Sequence, residues 1–111
     1  FVTSGDDEVA LPMIACGGEG VISVFGNAFP ANLSKMIKAA LSNDYPEARK
    51  LNLQTYDLHK YLFVEGNPVG IKSAMQILGL CSNEVRQPLH KMSTVNYDLL
   101  KSAIEKATNV K

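Results

Sequence analysis

The sequence predicts an α/β fold in which two strand–helix units are followed by a region of amphipathic helices. A glycine-dense turn at residues 17–20 leads directly into the β-branched run at residues 21–24. This run is almost continuously apolar, which is typical of a strand buried on both faces, as in a parallel sheet. From Ala31 onward, apolar residues recur at helical spacing instead.

The first unit consists of a short strand, a turn and a helix. Residues 1–4 predict the strand, and a Gly-Asp-Asp turn ends it. Asp6 or Asp7 is expected to cap the helix that follows, predicted over residues 8–16. Pro12 is compatible with this helix only if it lies in the first turn.

The second strand is predicted over residues 20–25 and ends at the turn signal Gly26-Asn27-Ala28. The glycines before it join a helix to a strand. A phosphate-binding loop needs the opposite order, with the strand first and the helix after the turn. The glycines therefore do not indicate a nucleotide-binding site.

Four further helices follow from the periodicity. Pro30 and Asn32 mark the start of the first, and Pro46 suits the first turn of the second. Asn67-Pro68 begins the third, which Gly79 closes. After a loop at residues 80–92, Ser93 or Thr94 caps the last, whose apolar face is Tyr97, Leu100, Ile104 and Ala107.

Two strands do not form a sheet that satisfies its own edges, because unpaired buried backbone groups are costly. If the two strands are parallel, each strand–helix unit is one eighth of a (β/α)8 barrel. The remaining residues predict helices and loops and supply no further strands. We therefore expect the chain to be a fragment of a longer polypeptide, as its start at Phe1 without an initiator Met also suggests.

Composition argues against several classes of protein. Eleven basic and eleven acidic residues balance without a Lys/Arg run, which makes nucleic acid an unexpected partner. No apolar stretch approaches the roughly 18 residues of a membrane span, and no secretory leader is expected. Cys16 and Cys81 are expected to be reduced core residues. His59 and His90 lack partners at ligand spacing, so we expect no metal site.

Several segments, in order, resemble the dihydrodipicolinate synthase family. Phe1-Val2-Thr3-Ser4-Gly5-Asp6-Asp7 and Gly17-Gly18-Glu19-Gly20-Val21-Ile22-Ser23-Val24 look like its strands seven and eight. Its C-terminal region is similar to Glu47-Ala48-Arg49, Leu58-His59-Lys60, Phe63-Val64-Glu65, Asn67-Pro68, Ile71-Lys72 and Arg86-Gln87-Pro88-Leu89. Gly66 and Gly70 stand where the family commonly has proline, and we expect a looser backbone there.

The resemblance implies a fold and an activity. Residues 1–43 would be the last two strand–helix units of a TIM (β/α)8 barrel, and residues 44–111 its helical C-terminal extension. The family is a cytoplasmic, usually homotetrameric class I lyase without a separate cofactor. Pyruvate forms an imine with a lysine, and the enamine attacks L-aspartate 4-semialdehyde. The product, 4-hydroxy-tetrahydrodipicolinate, leads toward diaminopimelate and lysine.

The same resemblance implies which parts of the site this chain holds. All nine lysines lie outside the predicted strands, and the family's catalytic lysine and tyrosine relay would precede Phe1. The chain alone is therefore expected to hold no catalytic residue and to be inactive. By the family match, Ile22 presents its backbone carbonyl to pyruvate or its imine, while periodicity places its side chain in the core. Gly5 is the second substrate-binding candidate, because a missing side chain lets backbone approach a ligand.

Other interpretations remain open. Asp6 and Asp7 form a possible acid/base pair, although helix capping is the preferred interpretation. Another pyruvate aldolase, such as an N-acetylneuraminate lyase, is the nearest alternative. A non-catalytic helical interaction module with a short β-α-β cap is the alternative from another class, since it fits the predominance of amphipathic helices.

Overall fold

A computed structural model describes residues 1–109. In chain order its elements are β1 (Thr3–Ser4), α1 (Ala10–Ala15), β2 (Gly20–Val21), a 3-10 turn (Phe25–Asn27), α2 (Pro30–Leu41), α3 (Tyr45–Phe63), α4 (Val69–Ile77) and α5 (Thr94–Asn109). The chain divides into two compact units, one of residues 1–56 and one that begins at Asp57. Each unit is described below by itself.

The two strands of the first unit are parallel. Thr3 is opposite Gly20, and Ser4 is opposite Val21. The Glu19 N–H donates to the Val2 carbonyl at 2.8 Å, and the Ile22 N–H donates to the Ser4 carbonyl at 2.8 Å. The parallel arrangement expected of two consecutive strand–helix units is confirmed, with α1 as the connection between the strands.

Helix α1 accommodates its proline as predicted. Pro12 is the third residue of the helix, where no intrahelical bond from its nitrogen is required. The helix ends at Ala15, and Gly17 follows it with a φ of +100°, which favours glycine. The Gly18 N–H then donates to the Met13 carbonyl at 2.8 Å, which satisfies one of the last free carbonyls of the helix.

The core of the first unit lies where α1 packs on α2. Ile14, Ala40 and Ala48 are buried there. Partly buried apolar side chains pack against these three residues: Leu11, Ile37, Ala39 and Tyr45. On α2, Ile37, Ala39 and Ala40 therefore belong to this core.

In the second unit, α4 packs against α5. The buried side chains of this unit include Leu58, Leu62, Ile71, Ala74, Leu100 and Ile104. Leu100 and Ile104 belong to the apolar face predicted for the last helix. The Tyr97 hydroxyl donates to Gln76 Oε1 at 3.1 Å. The helices predicted for this part of the chain are thus confirmed, and α4 and α5 begin within two residues of their predicted starts.

Some expectations are wrong. The second strand covers Gly20–Val21 rather than residues 20–25, because the chain turns into the 3-10 turn instead of continuing in extended form. Cys16 and Cys81 are free, but both are exposed rather than core residues.

No helix within residues 1–109 has both the length and the apolar character required to cross a bilayer.

Candidate active site

The carboxyl ends of β1 and β2 meet at one edge of the sheet because the strands are parallel. Two loops leave from this edge, one at residues 5–9 and one at residues 22–29. The hydrogen bond from the Ile22 N–H to the Ser4 carbonyl joins the points where the loops begin. Gly5 and Ile22, the two predicted substrate-binding residues, are therefore both found at this edge.

Ser4 shapes the first loop. Its side chain is buried, and its hydroxyl donates to the Asp6 carbonyl at 2.7 Å while accepting from the Asp6 N–H at 3.1 Å. The Asp6 carboxylate accepts from the Glu8 N–H at 2.9 Å. These local bonds fold the chain into a tight turn directly after β1.

Asp7 connects the first loop to the second. It is only 2% exposed. One carboxylate oxygen, Oδ1, accepts from the Ser23 hydroxyl, and the other, Oδ2, accepts from the backbone N–H groups of Val24 at 3.0 Å and Phe25 at 2.9 Å. A hydrogen bond to a charged acceptor contributes about 1.5–3 kcal/mol, so Asp7 is a strong link between the two loops.

These contacts correct the prediction that Asp6 or Asp7 caps the first helix. Val9 stands at the N-cap of α1, and no side chain caps that end. Asp7 instead binds N–H groups at the start of the 3-10 turn Phe25–Asn27, which is far away in sequence. Its carboxylate accepts hydrogen bonds from backbone N–H groups that have no partner within the helix, as a capping side chain does.

The second loop has further bonds of its own. The Ser23 hydroxyl oxygen accepts from the Gly26 N–H at 2.7 Å. The Asn27 side-chain amide donates to the carbonyls of Ser23 at 3.2 Å and Val24 at 3.1 Å. The ring of Phe25, which is buried, stacks on that of Phe29 with 4.9 Å between centroids. The loop after β2 is thus held both by its hydrogen bonds and by the stacking of these aromatic rings.

The two candidate residues are both exposed at this edge of the sheet. Gly5 is exposed, and a Cβ placed on it would meet no atom within 4 Å. The Ile22 side chain is 77% exposed, so the expectation that it is a core side chain is wrong for this chain.

The lysines lie away from the strands. None of the eight lysines within residues 1–109 is in β1 or β2, and all but the half-buried Lys72 are exposed. An imine-forming lysine needs partial desolvation to be a free amine near neutral pH. In the same part of the chain, no group of three or more His, Cys, Asp and Glu residues is placed to hold a metal ion.

A cavity of about 450 Å³ lies between β2 and α2. Among the described residues, Lys38 is the one charged side chain in its lining. The lining residues are Gly20, Val21, Gly26, Pro30, Leu33, Ser34, Ile37, Lys38 and Leu41. The cavity is therefore a mostly apolar recess.

Sequence reasoning missed the roles of Ser4 and Ser23 and assigned the wrong partner to Asp7. The available signal is positional. Asp7 follows the end of one strand and Ser23 follows the end of the next, and the carboxyl ends of neighbouring parallel strands lie side by side. Polar residues just beyond two such strands are therefore candidates for contact with each other.

A parallel strand–helix–strand whose polar loops meet at the carboxyl ends is the arrangement that defines the active face of (β/α)-barrel enzymes. The model of the dihydrodipicolinate synthetase family matches residues 1–107. The chain belongs to this family.

Similar proteins show how much of the family fold is present. A 4-hydroxy-tetrahydrodipicolinate synthase of Aquifex aeolicus is 44% identical over 105 residues, which are 95% of this chain and 36% of that synthase. The corresponding protein of Thermomicrobium roseum is 46% identical over 93% of this chain and 34% of its own length. The chain thus spans about a third of the length of the curated relatives it matches.

Solved structures give the same result. The crystal structure of dihydrodipicolinate synthase from Aquifex aeolicus superposes with a TM-score of 0.92 at 43% identity, covering 96% of this chain and 36% of that one. The enzyme from Thermotoga maritima gives 0.94 at 31% identity, with 97% and 37% covered. These structural neighbours are TIM-barrel proteins, and this chain matches a part of them.

Proposed function

We propose that this chain forms the last two strand–helix units and the C-terminal helical extension of a pyruvate-dependent Schiff-base lyase. The complete enzyme would condense pyruvate with L-aspartate 4-semialdehyde to give 4-hydroxy-tetrahydrodipicolinate, in lysine and diaminopimelate biosynthesis. It would be a cytoplasmic homotetramer. The chain alone would be inactive.

The observation that carries this proposal is the parallel pairing of β1 with β2, together with family membership over residues 1–107. A two-stranded parallel sheet is marginal alone, because parallel strands are normally covered on both faces and paired on both edges. The apolar cavity beside β2 and the exposed Ile22 side chain are surfaces that neighbouring barrel units would cover.

In this proposal the two loops at the carboxyl ends form one wall of the pyruvate pocket. The Ile22 carbonyl lies against bound pyruvate, and it accepts a hydrogen bond from the N–H of the protonated imine. Gly5 leaves room for the backbone to approach the same ligand. The lysine that forms the imine, and the groups that select the aldehyde, come from the barrel part outside this chain.

The test uses a graft in which residues 1–109 replace the matched segment of the Aquifex aeolicus synthase, hereafter the barrel graft. We expect the purified barrel graft to condense pyruvate with L-aspartate 4-semialdehyde with a kcat on the order of 1 s⁻¹ or higher. The control is the same synthase with the segment deleted, which we expect to be inactive.

Two outcomes would contradict the proposal. A full-length parent enzyme of this chain that cleaves N-acetylneuraminate, while ignoring L-aspartate 4-semialdehyde, would identify another pyruvate aldolase. A folded graft that does not condense pyruvate with L-aspartate 4-semialdehyde would favour the non-catalytic helical module.

A further inference from the structure

We infer that Asp7 is a positioning residue that orients the Ile22–Ser23 peptide, and with it the carbonyl proposed to face pyruvate. This inference rests on the proposed function and adds a residue to it. Its basis is the set of contacts that joins Asp7 to the loop after β2, across 16 to 18 residues of sequence.

The Ile22–Ser23 peptide is held on both of its sides. On the strand side, the Ile22 N–H donates to the Ser4 carbonyl at 2.8 Å. On the loop side, the Ser23 hydroxyl donates to Asp7 Oδ1. Since a peptide is planar, only the dihedral angles beside it change its direction. The bond to Ser4 fixes Ile22, and the bond to Asp7 fixes Ser23. Together they fix the direction in which the Ile22 carbonyl points.

Asp7 also holds the residues that come next. Its second oxygen, Oδ2, accepts from the N–H groups of Val24 and Phe25. These bonds turn the chain away from extended form directly after Ser23, which ends β2 and leaves the Ile22 carbonyl at the sheet edge. Burial strengthens these bonds, because little water competes for a carboxylate that is 2% exposed.

One carboxylate thus joins both loops that carry the proposed ligand contacts. Asp7 lies two residues after Gly5 in the first loop, and its bonds reach the second loop just after Ile22. A side chain that touches neither pyruvate nor the lysine can in this way set the geometry of the pocket wall. Displacement of a binding group by about 1 Å lowers rates by as much as a hundredfold.

The test compares Asp7→Ala and Asp7→Asn in the barrel graft. We expect Asp7→Ala to raise the KM for pyruvate by about tenfold or more, with the KM for the aldehyde unchanged. In Asp7→Asn, the KM for pyruvate should return largely to the value of the parent graft. The amide oxygen can accept from Val24 and Phe25 as Oδ2 does, and the amide nitrogen can donate to the Ser23 hydroxyl oxygen.

Two further variants complete the series. Ser23→Ala removes one bond to Asp7 and leaves the other two, so we expect a smaller rise in the same KM. It also keeps the inference testable if Asp7→Ala fails to fold. Glu8→Ala is the matched acidic control, since Glu8 is exposed and adjacent to Asp7; we expect an unchanged KM for pyruvate.

The possible outcomes separate this inference from the proposed function. A rise in pyruvate KM that Asn reverses supports the positioning role. A lower melting temperature and kcat with an unchanged pyruvate KM, in both Asp7→Ala and Ser23→Ala, would show a purely structural role and overturn it. If the parent graft itself gives no borohydride-trapped pyruvate adduct, the proposed function fails, and the positioning role with it.

Discussion

Glu65 joins the loop after α3 to the start of α5. Its carboxylate accepts from the Ser93 N–H at 3.1 Å, from the Ser93 hydroxyl, and from the Asn96 side-chain amide at 2.6 Å. The hydrogen bond from the Ser93 side chain is the largest cause that lowers the pKa of the Glu65 carboxyl below its ordinary value of 4.5. The hydrogen bond from the Asn96 side chain is the second cause. A negative charge at this position also suits the N-terminus of a helix.

Glu65→Gln should therefore lower the melting temperature of the barrel graft at pH 7. Because the folded pKa lies below the unfolded one, the ionised carboxylate stabilises the fold above pH 4.5 and stops doing so as pH falls through the folded pKa. The difference in melting temperature between parent and variant should thus be constant near neutrality and shrink below pH 4.5. Thermal scans between pH 3 and 7 measure it.

Glu105→Gln is the matched control, since Glu105 is an exposed residue near the other end of α5. It should leave the melting temperature within the scatter of the parent at every pH. A Glu65→Gln difference that grows as pH falls would contradict the stabilising role of the ionised carboxylate.

Single residues also show what local sequence signals miss. The capping tendency of Asp7 was predictable, but its partners lie 16 to 18 residues further on and no local pattern identifies them. Ile22 reads as a core residue by periodicity, yet its side chain is 77% exposed. The spacing of apolar residues predicts that one face of a strand will be buried. It does not identify the segment that covers this face.

At the scale of elements, Gly70 lets α4 approach the end of α3. A Cβ on Gly70 would lie within 2.6 Å of the Leu62 Cα and closer still to the Leu62 carbonyl group. Gly66 lies at a φ of +85°, where glycine is favoured. Gly70 is thus buried in a tight contact, and the expectation of a looser backbone stays a prediction.

Gly70→Ala should destabilise the barrel graft by about 3 kcal/mol, since backbone atoms of α3 must move to admit the methyl group. Gly79→Ala is the control in the same unit. Its Cβ would meet no atom within 4 Å, and only its φ of +74° opposes alanine, so we expect about 1 kcal/mol. Urea unfolding measures both, and equal costs would contradict the tight contact.

The helices were largely predictable, whereas the second strand was not. Apolar stripes and proline positions placed α2 to α5 closely, because each depends on residues near in sequence. Strand β2 ends four residues early because Asp7 binds the N–H groups of Val24 and Phe25. An apolar β-branched run predicts extended chain, and a distant carboxylate overrides it.

At the scale of the whole molecule, parallel pairing and family membership agree with the predicted barrel segment. The strands are parallel, the chain belongs to the dihydrodipicolinate synthetase family, and it spans about a third of its relatives. The division into a barrel part at residues 1–43 and an extension at residues 44–111 stays a prediction, as do the ligand contacts of Gly5 and Ile22.

Mass-spectrometric mapping after treatment with pyruvate and borohydride is the most direct test, done on the barrel graft and on the isolated 111-residue chain. We expect a single reduced adduct in the graft, on a lysine contributed by the Aquifex part, and an unmodified isolated chain. Pyruvate fixed to any of this chain's own lysines would show that it contains the imine-forming group, and would contradict its assignment as a pocket wall completed from outside.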